Sequence, residues 1–281
     1  MIGGFMTKII FSRKGFDIAS GGYPSPILPD GTMLSFPIPE TSGTYYKDLM
    51  YNGQSYLELM SELGIKGFDE NSRVHLDPDI NRNIIERQEQ SWEAIFGQCD
   101  SSASHLDNQH VKEGDILLFF GWFRKTIKTS TGLKYDPKDK GGKHVLWGYL
   151  QVGKAFKIVK EDEYPRHYLN HPHFEENSYS NNTAYIASEK LSFDETKYGA
   201  GVFKFDENLV LSCPTGLKSI WQLPLCFHPD NGTQITYHTN PAKWTKQDNY
   251  CTLQSVGRGQ EFVISGNPDV DNWAKEIILN Y

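Results

Sequence analysis

His75-Leu76-Asp77-Pro78-Asp79 places three proton carriers or metal ligands at every second position. In an extended segment side chains alternate between faces, so His75, Asp77 and Asp79 would share one side. Such a set suits general acid–base chemistry or a divalent cation. Asp-Pro-Asp equally suits a turn or a helix N-cap. A second polar block, Ser12-Arg13-Lys14, is followed by Asp17 and by Gly21-Gly22. Arg13 can fork onto a carboxylate or phosphate, and the amides around Gly22 suit an anion nest. Far along the chain, Gly257-Arg258-Gly259-Gln260-Glu261 adds a cation and a carboxylate ahead of an apolar run. Candidate catalytic residues are therefore Asp17, His75, Asp77, Asp79 and Glu261. No metal ligand set is assigned, and the cofactor is left unidentified.

A third stretch, from Val111 to Phe156, suits a flat ring. Ile116 to Phe123 is almost continuously apolar and ends in Arg124, and a second apolar run covers His144 to Val152. Between them lies a hydrophilic excursion with Lys125, Lys128, Lys134, Lys138, Lys140 and Lys143. Two strands joined by this loop would bring Trp122, Arg124 and Trp147 together. Stacking on Trp122 or Trp147 would hold a base, and Arg124, Arg13 and Arg258 would hold its edge or a phosphate. Candidate ligand-binding residues are Ser12, Arg13, Lys14, Gly22, Trp122, Arg124, Trp147 and Arg258. The same aromatic run also reads as a plain core strand, because continuous apolarity means both faces are covered.

The supporting elements follow from local pattern. Lys8-Ile9-Ile10-Phe11 reads as a first strand, leading into a loop dense in Gly and Pro. Leu57, Met60 and Leu63 recur at helical spacing, with Gly64 as a C-cap. A helix is expected from about Asn81 through Trp92 to Phe96, and a final one over Asp271 to Leu279. His167, His171 and His173 fall in a Pro-interrupted passage that reads as surface loop. Strands are expected at Asn181–Ala187, Gly199–Phe205 and Leu209–Leu211. With no repeat and no linker, one compact α+β domain is expected over residues 6–281, with a mixed or barrel-like sheet and peripheral helices. Residues 1–5 read as an N-terminal extension.

Composition excludes some classes. The net charge is −7, which does not suit a generic duplex-DNA binder whose affinity comes from neutralising phosphates. DNA contact through the Lys-rich loop stays open. The four cysteines show no C-x-x-C spacing, so reduced thiols are expected. No apolar run reaches the roughly 18 residues of a membrane span, and no secretory pattern opens the chain. A cytoplasmic protein without membrane partners is expected. Its oligomeric state is not legible.

Two resemblances enter on these residues. Lys8 to Asp17 with Gly21-Gly22, Pro24-Ser25-Pro26 and Asp30-Gly31, then His75 to Asp79, Gly114 to Arg124 and Gly257 to Val263, resemble a bacterial and phage family. That family is named for association with nucleotide modification, its third type. The resemblance implies a setting of DNA modification, phage–host conflict and bacterial defence, and it assigns no reaction. More locally, Val111 to Asp115, the strand ending in Arg124 and Gly148 to Val152 resemble the middle of PUA-like barrels, including the ASCH and EVE groups. That likeness implies a small barrel holding nucleic acid or a modified base; the long insertion between the strands departs from it. The leading expectation is a protein that recognises a nucleotide or modified nucleobase. One alternative is an enzyme on the same ligand (transferase, hydrolase or base-removing) using Asp17, His75, Asp77 and Asp79. The other is a non-enzymatic sequestering or protein-interaction factor.

Overall fold

The computed structural model describes residues 7–87, 91–160, 162–175, 179–214, 216–257 and 261–281. Arg258 and residues 1–5, both assigned above, lie outside these residues. The chain is a single compact α+β domain, built on a ten-stranded mixed sheet that does not close into a barrel. Its strands in chain order are β1 (Ile9–Arg13), β2 (Ser25–Ile27), β3 (Ile95–Cys99), β4 (Ile116–Thr129), β5 (Gly132–Tyr135), β6 (Lys143–Lys157), β7 (Asn182–Ala187), β8 (Ala200–Val202), β9 (Gln234–Ile235) and β10 (Glu261–Ser265). The main path runs β9-β10-β1-β4-β6-β7-β3, with β2 and β5 on β4 and β8 on β6.

The two apolar runs on either side of the Lys-rich excursion form the centre of this sheet. β4 pairs antiparallel with β6, with an irregularity in register between Leu146 and Gly148. Ile116 through Phe120 are fully buried, as continuous apolarity predicts for a strand covered on both faces. β1 lies parallel to β4, with Arg13 opposite Phe120, and antiparallel to β10, with Ser12 opposite Glu261. Directly opposed residues share a face, so this register brings the polar ends of β1 and β10 together. The two blocks are 249 residues apart in sequence.

Among the described residues, three α-helices flank the sheet: α1 (Tyr56–Glu62), α2 (Asp100–Asn108) and α3 (Pro268–Asn280). Ser55 and Glu58 close a capping box on α1, which packs into a second core with Phe16, Phe36, Tyr46 and Tyr56. Several local expectations are corrected. The helix expected from Asn81 to Phe96 is a short 3-10 turn at Arg82–Ile84, and Ile95 and Phe96 belong to β3. Tertiary pairing of β3 with β7 takes residues whose spacing alone suggested a helix. Leu209, expected to open a strand, instead closes the 3-10 turn Glu207–Leu209. His171 and His173 are buried: His171 caps the 3-10 turn Pro172–Phe174, which folds back over the sheet.

Candidate functional site

The carboxyl end of β1 opens into a cavity of about 420 Å³, lined by Arg13, Lys14, Asp17, His75, Asp77, Gln98, His173 and Tyr179 among others. Pockets that take small ligands begin at roughly 300 Å³. Lys14 Nζ donates to Asp77 Oδ2 at 3.0 Å and lies 4.0 Å from Glu261 Oε1. One ammonium thus bridges two carboxylates that are each 1% exposed. It also sits 4.5 Å from the centre of the Phe96 ring, a cation–π contact. Asp77 Oδ1 accepts the Gly97 amide at 2.7 Å. Glu261 Oε1 accepts from Gln98 Nε2 at 2.6 Å and from Ser12 Oγ at 3.2 Å.

Electrostatics separate the two carboxylates. Burial opposes ionisation at Asp77, but Lys14 and the neighbouring His171 and His173 hold its carboxyl well below the usual carboxylate range. Burial pushes Glu261 up, against the pull of Lys14, Gln98 and Ser12 and with the help of the Asp77 charge. Two carboxyls whose affinities for a proton are driven apart by their surroundings are the arrangement that acid–base chemistry uses. Burial lowers His75, and it lowers His173 to about 4, so both imidazoles are neutral at pH 7. Burial pushes the Cys99 thiol at the rim up to about 11, which keeps it protonated.

Two of the histidines, His171 and His173, are fixed in tautomer by hydrogen bonds. Asn182 donates its Nδ2 to the His173 carbonyl at 2.8 Å, so its Oδ1 must accept from His173 Nδ1 at 2.7 Å. His75 Nδ1 faces Glu40 Oε2 at 3.5 Å. His171 Nδ1 accepts from the His173 amide at 3.4 Å, which leaves the proton on Nε2, 3.4 Å from Asp77 Oδ1 but not aligned for a hydrogen bond. The His173 ring lies against Gly97, where an added Cβ would come within 2.2 Å of it. Because Asn182 holds the ring, G97A is expected to destabilise the protein by about 1–3 kcal/mol as overpacking strain. Urea denaturation of the variant measures this.

The other sequence-assigned residues are placed as follows. Arg13 lines the cavity while Nη1 and Nη2 donate to the carbonyls of Gly257 and Val256, both at 2.9 Å. Asp17 lines it too and accepts the amides of Ala19 and Ser20 at 2.7 Å. Gly22 has positive φ, with nothing within 4 Å of the position a Cβ would take. Asp79 turns away, into a bidentate pair with Arg87 at 2.7 and 2.8 Å and a bond from Trp92 Nε1. Trp147 packs in the core against Phe119. Trp122 donates to the Gly141 carbonyl at 2.7 Å beneath Lys218. Arg124 donates to the Asp136 carbonyl and lies over Tyr135. None of the last four lines the cavity. Sequence reasoning missed Lys14 as the partner of Asp77, and it missed Gln98, His171, His173, Tyr179 and Asn182. The clustered histidines were the one available signal.

An α+β domain with a buried acid–base cluster at the end of a parallel strand pair is the class defined here. The chain belongs to the nucleotide modification associated domain 3 family, which it matches over residues 8–265. No curated protein and no solved structure matches it. Membership ties the chain to nucleotide modification. Among the described residues, no helix is long and apolar enough to cross a membrane.

Proposed function

We propose that the protein recognises a nucleotide or modified nucleobase in the cavity at the end of β1. The observation that supports this best is the meeting of Arg13, Lys14, Asp17, His75, Asp77 and His173 on one ligand-sized space, in a family tied to nucleotide modification. Tyr179 and His173 stack with ring centres 5.6 Å apart and planes 29° from parallel. They supply the flat surface that sequence reasoning sought in Trp122 and Trp147. The half-buried cations Arg13 and Lys14 suit a phosphate or an acceptor edge.

A panel of nucleotides, cyclic oligonucleotides and modified DNA, screened by calorimetry, tests this reading. At least one nucleotide is expected to bind, and Y179A is expected to weaken it by about 1–3 kcal/mol, the size of one base–aromatic stack. No binding by any member of the panel would sink the proposal. The dense titratable cluster favours a second reading, that the bound nucleotide is also turned over, with Asp77 and Glu261 in acid–base roles. Mass spectrometry of the recovered ligand separates the two: an altered product that vanishes in D77N indicates catalysis, and unchanged ligand indicates binding or sequestration. The setting in phage–host conflict, and DNA contact through the Lys-rich loop, stand as further parts of this proposal.

A further inference from the structure

We propose that His75, Asp77 and His173 form a binding site for a divalent first-row transition metal, with open coordination positions facing the cavity. One ligand atom from each of the three lies within 4.8 Å of the others. No cation is needed to explain their packing, yet each histidine is prepared for one. A metal-binding imidazole characteristically donates its second ring nitrogen to an oxygen, which fixes the ring and leaves a lone pair for the ion. His173 does this through Nδ1–H to Asn182 Oδ1 at 2.7 Å, an assignment forced by the Asn182 amide donating to the His173 carbonyl. His75 presents Nδ1 to the Glu40 carboxylate at 3.5 Å. His173 Nε2 therefore carries a lone pair, and His75 Nε2 does so when its proton sits on the Nδ1 that faces Glu40.

Asp77 completes two imidazoles and one carboxylate, a donor set that suits Mn, Fe, Co or Zn ions and leaves positions open. Its orientation is held independently by the Gly97 amide at 2.7 Å. His171 backs the carboxylate rather than joining the set, because its Nε2 bears the proton. Lys14 now stands as the counter-cation of Asp77. A second carboxylate, Glu261, lies 4.0 Å from its Nζ and can receive it when a metal takes over Asp77. Asp79, the third member of the sequence motif, is excluded by its bidentate pairing with Arg87. The site needs the His173 turn instead, which no local spacing reveals.

The inference does not depend on the nucleotide reading, and its test uses no nucleotide. Full-length protein stripped with a chelator is titrated with Co²⁺ and followed by the visible d–d bands. The wild type is expected to take up a single equivalent saturably. H75A and H173A should each weaken uptake at least roughly tenfold, and N182A, which frees the His173 ring, by roughly 10–100-fold. H167A, which alters a histidine paired with Glu93 outside the cluster, should leave uptake unchanged. Circular dichroism checks that the variants are folded. X-ray absorption of the Zn-loaded wild type reads the site without any variant and should show two imidazole ligands. Absence of saturable uptake by the wild type, a spectrum without imidazole ligation, or uptake that survives H75A and H173A combined overturns the proposal.

Discussion

Replacing Lys14 by methionine is expected to lower the stability of the protein by about 3–5 kcal/mol, the usual cost of removing one partner from a buried ion pair. The loss is large because of what stays behind. Asp77 would keep the Gly97 amide and the His171 contact, but its charge would lose the ammonium that it pairs with. Glu261, 4.0 Å from the ammonium, would lose the same counter-charge. Methionine fills most of the lysine volume and keeps contact with Phe96, so the change reports the charge rather than a void. The double variant K14M/D77N removes both charges while the asparagine oxygen can still accept the Gly97 amide. It is expected to be less destabilised than the sum of the two single changes, by roughly 1–3 kcal/mol of coupling. Urea denaturation of the four proteins measures the cycle. Additive single effects would show that Lys14 and Asp77 do not act as a pair.

How far the sequence reached is visible in that pair. Local polarity marked Ser12-Arg13-Lys14, His75-Asp77 and Glu261 as chemical, and pairing of β1 with β10 does bring Ser12 and Glu261 together. The alternation that marked His75 and Asp77 also marked Asp79, and it failed there because Arg87 and Trp92 claim that carboxylate on another side. Continuous apolarity correctly announced the two central strands. It could not say that Trp147 faces core rather than ligand, since burial against Phe119 and burial against a base leave the same trace in a sequence. The large sheet was legible as strands, and its open rather than barrel form was not, because closure depends on non-local pairing. The His171–His173 turn was the hardest part. A Pro-interrupted run of histidines resembles exposed loop unless one knows that Asn182 on β7 lies beneath it. Acid–base clusters assembled from five segments are fixed by such long-range contacts, which spacing does not encode.

A buried histidine away from this cluster should make stability depend steeply on pH. His144, at the start of β6, accepts the indole N–H of Trp221 through Nδ1 at 3.0 Å. Its ring meets Phe120 at 5.6 Å. Burial, followed by the positive charges of Arg13 and Lys218, lowers its affinity for a proton to a pKa of about 3. In the unfolded chain the same ring titrates near 6.5. Between these values the unfolded state binds a proton that the folded state refuses, so stability rises with pH and is lost as pH falls below about 6.5. The slope reaches at most about 1.4 kcal/mol per pH unit for one such group. His75, His173 and His238 are lowered as well and add to the slope, while the raised carboxyls of Glu261 and Asp115 oppose it. A difference measurement isolates His144. In H144Q the amide oxygen can still accept from Trp221, and nothing at that position titrates. Its unfolding free energy between about pH 7 and pH 5 is expected to fall less steeply than that of the wild type, by about 1 kcal/mol or more over the interval. Parallel curves would mean that His144 takes up its proton without unfolding. Arg13 also lies over Phe120, 5.6 Å from the ring centre, so a proton on His144 would set a second cation near the arginine, a further reason that the folded state refuses it.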